Sequence, residues 1–133
     1  YLFAKQHHEL FIQRGNYRCA VTDSPLLLTA FYAAPDVTPQ SFYQCVRDYN
    51  DKFENIYFFI TRDIGAPESV FDNSGRVHNR TESLEKEKQQ RAFLDQWGVQ
   101  YTDINVTSSP NAEDDCALQI YNTLLAQNWF KKD

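Results

Sequence analysis

The chain is short of several things, and each shortage narrows its chemistry. It contains no methionine and only four glycines among 133 residues. With so few glycines, neither GxGxxG nor the phosphate-cradling GxxxxGKS/T pattern occurs anywhere. Its three cysteines, Cys19, Cys45 and Cys116, are odd in number and widely spaced. They fit neither a disulfide framework nor a CxxC metal site, and each sits in an apolar pattern that suits small core residues of a reducing compartment. No apolar run approaches the roughly 20 residues needed to span a bilayer. Basic residues are also few: 13 Lys and Arg against 18 Asp and Glu give a net charge of −5. Nonspecific nucleic-acid or membrane-surface binders need a basic excess, so that class is disfavoured. There is no Ser-His-Asp order, no nucleophile elbow and no CX5R thiolate loop. The sequons at Asn79 and Asn105 bear only on a secreted protein, and nothing else in the sequence suggests one.

What is present is a globular composition, 42% hydrophobic and 15% aromatic, of a length that suits a single domain over residues 1–133. Residues 1–14 carry Phe3, His7, Leu10 and Phe11 at helical spacing, with Gly15 as a stop. His7 and His8 are adjacent and so point to different sides of that helix. Tyr17 to Thr22 reads as a short strand closed by Asp23-Ser24-Pro25, and Leu26 to Ala33 as a short buried helix. Thr38-Pro39 predicts a capped helix start, and Phe42, Cys45, Val46, Tyr49 and Phe53 form its apolar face.

Ile56 to Ile60 is a continuous apolar run of strand length, which suits a parallel strand buried on both faces. A glycine- and proline-containing loop follows over 63–78, then a helix from Asn79 that is polar as far as Gln90 and apolar at Phe93, Leu94 and Trp97. Gly98 ends it. Val99 to Ile104 reads as a third strand. Ser109-Pro110 starts a last helix with Glu113, Asp114 and Asp115 in its first turn and Ala112, Cys116, Ile120 and Leu124 on its core face. Strands alternating with helices predict an α/β fold with a parallel sheet. Three strands make that sheet thin. The expectation is that one or two N-terminal strands are missing, in keeping with a chain that opens on Tyr1 inside a helical pattern and has no Met.

In open parallel sheets, ligands bind beyond the C-terminal strand ends. Asp23 and Arg62 are the charged groups at that edge. A carboxylate there holds Mg²⁺ through water or takes a proton from an acceptor hydroxyl; equally, Asp23 caps the Ser24-Pro25 turn or the helix after it. The loop adds Arg76 and Arg80 around His78. Arginine pairs bidentately with phosphate, and a long irregular loop followed by a polar half-helix suits a lid over about 63–90.

The segment Tyr17–Leu28, YRCAVTDSPLLL, resembles the strand ending in Asp-Ser-Pro of small P-loop kinase-like ATP-binding proteins, many of them encoded by bacteriophages. YLFAKQHHEL before it, and NIYFFITRD, NSGRVHNRTESLEKEKQQ and FLDQWGVQYTDI after it, resemble the neighbouring helix, strand, Gly-Arg lid and final strand in the same order. The likeness covers about residues 1–105. It implies a parallel three-layer sheet of P-loop kinase type, related to nucleoside and nucleotide kinases, whose N-terminal strand and phosphate loop have no counterpart in these residues. It further implies ATP and Mg²⁺ as cofactors, Asp23 as the catalytic and metal-side carboxylate, and Arg76 and Arg80 as catalytic lid arginines. Arg62 would contact phosphates, and Gln6 would line the acceptor side.

The activity implied is phosphoryl transfer to a nucleoside, nucleotide or DNA-base hydroxyl by the intact protein, in the cytoplasm of the host cell if it is phage-encoded and away from membranes. The alternative is a noncatalytic nucleotide-binding or protein-interaction module that has lost the phosphate loop, with a homo-oligomer completing the sheet as a variant. A flavodoxin- or receiver-like domain is disfavoured, because it would need an N-terminal strand with acidic or phosphate-binding residues.

Overall fold

A computed structural model describes residues 1–62, 80–106 and 111–131. The expected lid over 63–90 therefore lies outside the described residues as far as position 79. The fold mixes helix with a parallel two-stranded sheet, and the chain forms two compact units, Tyr1–Asn55 and Ile56–Asp133. Among the described residues, no helix is long and apolar enough to cross a membrane.

The first unit is helical. Helix α1 spans Leu2–Gln13, α2 Leu28–Phe31 and α3 Gln40–Asn50. On α1 the half-buried positions are Phe3, Gln6, His7, Leu10 and Gln13, a 3.6-residue stripe, while His8 is exposed. Phe11 falls at the margin of that stripe and is exposed, unlike its sequence expectation; its ring lies oblique to that of His7, centroids 6.2 Å apart. Helix α1 meets α3 through aromatic edges, Phe3 against Phe42 at 5.7 Å and His7 against Tyr49 at 4.3 Å.

The core beneath is Leu26, Leu27, Ala30 and Val46. Thr29 is buried with them because its hydroxyl donates to the Leu26 carbonyl at 2.7 Å, which removes the cost of an unsatisfied polar group. Helix α3 buries the face its periodicity predicts. Its N-cap is Pro39 and not Thr38, and no side chain caps it. At its other end the last helical carbonyl, that of Asn50, accepts from the Phe53 N–H and from the Asn55 side-chain amide, which also donates to the Phe53 carbonyl beyond the helix.

Residues 17–22 correct the sequence expectation. They form no strand: their one backbone pairing is an isolated bridge from Arg14 to Tyr17, and Val21 is 95% exposed. A strand exists through its ladder, and among the described residues none lies beside this segment. Gly15, at φ +83°, ends α1 and turns the chain into it, with the Asn16 amide donating to the Ile12 carbonyl at 2.8 Å.

The second unit is a β–α–β crossover. Strand β1, Tyr57–Arg62, pairs in parallel with β2, Tyr101–Val106, in a register running from Tyr57–Tyr101 to Arg62–Val106. Among the described residues two strands stand where three were expected. Helix α4, Arg80–Gln96, connects them, and α5, Ala112–Ala126, packs along β2. Leu94 and Ile104 are the buried centre of this unit.

The end of α4 is a Schellman turn. Gly98 sits at φ +69°, its N–H bonds the Asp95 carbonyl at 3.0 Å, and the Val99 N–H bonds that of Leu94 at 3.0 Å. Helix α5 begins at Ala112, two residues after the expected Pro110, with its acidic first turn in place. Ala112, Cys116, Ile120 and Leu124 are its half-buried side, as their spacing requires. Leu118, Tyr121 and Leu125 are exposed on the same helix.

Candidate functional site

The first unit carries a polar cleft of about 460 Å³ between α1 and the segment after Tyr17. That volume lies within the roughly 300–1,000 Å³ of small-molecule sites. Helix α1 contributes Gln6 and Glu9 at i and i+3, which a helix places on one face; the opposite wall contributes Tyr17, Thr22, Asp23 and Ser24. The irregular wall is held at its end by an internal bond, the Ser24 N–H donating to the Thr22 hydroxyl at 3.1 Å. The turn is therefore closed by Thr22, and Asp23 is exposed to solvent. Gln6 is the inverse case, its Oε1 buried with no hydrogen-bond donor. A buried acceptor without a donor costs roughly 1–3 kcal/mol, and this oxygen has almost no surface open to the cleft.

Two of the residues singled out in the sequence, Gln6 and Asp23, thus line one cleft. Asp23 reaches it from a turn after an irregular segment and not from a strand end. In the second unit Arg62 is the last residue of β1 and Arg80 the first of α4. Helix α4 has 17 residues, about 25 Å. It runs back along strands of six residues, about 20 Å. Both arginine backbones therefore lie toward the C-terminal strand edge of that unit. Arg76 lies outside the described residues.

Sequence reading passed over Glu9 and Tyr17 in the cleft, and Arg91 in the second unit. Arg91 Nη2 lies 2.6 Å from Asp103 Oδ1 and its Nε 3.4 Å from Glu87 Oε1, while its guanidinium sits 4.2 Å from the Phe59 ring centroid. The hydrogen bond to Asp103 is the largest cause raising its pKa further above the ordinary arginine value, with burial opposing. The Glu87–Arg91 spacing was a readable helical ion pair. The Asp103 contact was not readable, because it depends on how α4 crosses the sheet.

Among the described residues no group of three or more His, Cys, Asp or Glu side chains is arranged to hold a metal. The cleft's own donor set at Asp23, one carboxylate beside the hydroxyls of Thr22 and Ser24, suits a hard cation that keeps most of its water. It does not build a closed all-protein site. For ATP the fit is poorer still, because the chain contains no phosphate-cradling loop. Compared with known proteins, the chain matches no family model, no curated protein and no solved structure. The fold and site together define a mixed α/β protein, with a parallel β–α–β unit and a polar cleft on a helical unit.

Proposed function

We propose that the intact protein transfers the γ-phosphoryl group of ATP to a hydroxyl of a nucleoside, nucleotide or DNA base. The observation that supports the reading is that Gln6, given to the acceptor side by the resemblance, and Asp23, nominated as the catalytic and metal-side carboxylate, line one cleft of suitable size. In this reading a hydroxyl of the acceptor lies against Asp23. Its oxygen forms the new bond to phosphorus as the bond to the β-phosphate oxygen breaks; ADP leaves with that electron pair, and the hydroxyl proton passes to the Asp23 carboxylate. The resemblance assigns the charge on the phosphates to Arg62, Arg76 and Arg80, and Asp23 would be the carboxylate to hold Mg²⁺, which would supply further neutralisation. Such catalysis is positioning and electrostatics, and it needs no protein nucleophile.

The reading requires a GxxxxGKS/T loop from outside these 133 residues. The outer edge of β1, which meets no strand among the described residues, suits the strand that would carry it and extend the sheet toward a three-layer P-loop kinase type. The second reading is a noncatalytic nucleotide-binding or protein-interaction module that binds its ligand and leaves it unchanged.

Phosphoryl transfer from labelled ATP to nucleosides, nucleotides and DNA, measured on the full-length protein, tests the proposal. Loss of transfer by roughly 10²-fold or more in Asp23→Ala and Arg76→Ala is expected. Full activity in both variants would sink the roles given to these residues. Tight ligand binding with no transfer would favour the noncatalytic module.

A further inference from the structure

Helix α5 is apolar on two opposite sides. One side, Ala112, Cys116, Ile120 and Leu124, is half-buried where the helix packs along β2. At about 100° per residue, Leu118, Tyr121 and Leu125 fall within an arc of roughly 60° on the other side. All three are exposed. Phe130, from the 3₁₀ turn Trp129–Lys131, lies beside Tyr121 with ring centroids 5.8 Å apart and carries the stripe past the helix end. A helix at the surface of a monomer needs one apolar face, and a helix apolar on both sides is buried on both.

The four exposed side chains are each about half accessible, so together they offer on the order of 400 Å² of apolar surface. An ordinary interface takes about 800 Å² from each partner, a little over half of it apolar. The stripe therefore matches the apolar part of one such interface.

Its spacing suits a second copy of itself. Leu118 and Leu125 stand at equal distances from the middle of the stripe. Two α5 helices laid antiparallel bring Leu118 of one copy onto Leu125 of the other, with both Tyr121 rings near the two-fold axis. Charge selects the same orientation. Asp114 lies one turn before Leu118 on this stripe, with Glu113 and Asp115 beside it. Parallel helices would set two acidic first turns against each other. Antiparallel helices set each against the other copy's C-terminal end, where the sequence runs Lys131-Lys132.

We propose that this stripe is the interface of a homodimer, formed by antiparallel packing of α5 on a second copy of the chain. The proposal is independent of the phosphoryl-transfer reading. Sedimentation velocity on the chain from about 1 to 500 µM tests it, with a dimer Kd on the order of 10–100 µM expected for so modest an apolar core. Leu118→Lys combined with Leu125→Lys should weaken the dimer by roughly tenfold or more. Tyr121→Ser, a neutral change at the axis, should weaken it by roughly fivefold and serves if the lysine pair does not fold. Leu118→Met combined with Leu125→Met should keep the wild-type Kd within about threefold.

A wild type that stays monomeric at every concentration would overturn the proposal, leaving the stripe to the rest of this chain or to another protein. A dimer that neither the lysine pair nor Tyr121→Ser weakens would overturn it as well, by placing the interface elsewhere.

Discussion

Arg91 and Asp103 are joined at 2.6 Å, from the middle of α4 to the third residue of β2. The same guanidinium covers the Phe59 ring, whose residue pairs with Asp103 across the sheet. One cation therefore ties the crossover helix to both strands. Because the Asp103 side chain is 56% exposed and that of Arg91 28%, solvent screens the pair. A double-mutant cycle with Arg91→Met and Asp103→Asn should give a coupling of about 1 kcal/mol in urea unfolding. A coupling near zero would reduce Arg91 to the packing of its stem over Phe59.

The pH dependence of this tie has a definite sign. A cation whose folded pKa is raised contributes its full stabilisation below the unfolded value and loses it only as pH rises through the folded one. The Arg91 pKa is raised further above the ordinary arginine value, chiefly by its hydrogen bond to Asp103. Its contribution is therefore constant through neutral and mildly alkaline pH. The stability difference between the wild type and Arg91→Met should be flat from roughly pH 6 to 9. A difference that fades toward pH 9 would show that another titrating group carries the effect.

Gly98→Ala should lower stability by about 1 kcal/mol. The cause is backbone alone, since an added Cβ would meet nothing within 4 Å while the residue stays at φ +69°. Gly98→Asn should cost less, because asparagine tolerates that conformation better. Thermal unfolding of the two variants checks the order; equal losses would mean that the Schellman turn is not kept.

Val21 and Ile104 form a contrast. Ile104 is 2% exposed, and Ile104→Ala should cost about 3–4 kcal/mol through lost burial and the cavity it leaves. Val21 is almost wholly exposed, and Val21→Asp should change the stability of this chain by less than about 0.5 kcal/mol. A large loss at Val21 would restore a paired strand over Tyr17–Thr22.

The exposed Leu118, Tyr121 and Leu125 lie three and four residues apart along α5. Leu118→Lys combined with Leu125→Lys should leave urea unfolding unchanged, because both side chains already meet water. Unfolding at lower denaturant would mean that these side chains are packed.

Much of this architecture was legible because it is local. The faces of α3 and α5 follow from apolar spacing, β1 from the run Ile56 to Ile60, and the ends of α1 and α4 from Gly15 and Gly98. What failed was nonlocal. Tyr17–Thr22 has strand-forming residues, but propensity supplies no ladder, and this segment finds no neighbour among the described residues. The same limit applied to the site. Gln6 and Asp23 were nominated one at a time, whereas the cleft they share, and the part of Glu9 and Tyr17 in it, comes from the chain folding back after Gly15. Arg91 was hidden because its principal partner lies on a strand whose distance from α4 no spacing rule gives.

One wall of the cleft, residues 19–22, has neither helix nor strand to stiffen it. Holding each such residue in a single backbone state costs roughly 1–2 kcal/mol in conformational entropy. If a ligand has to order this wall on binding, that cost would be set against its affinity, as an unfavourable entropy opposing a favourable enthalpy. Whatever stiffens that wall beforehand, a neighbouring strand above all, would tighten binding without adding a single contact to the ligand.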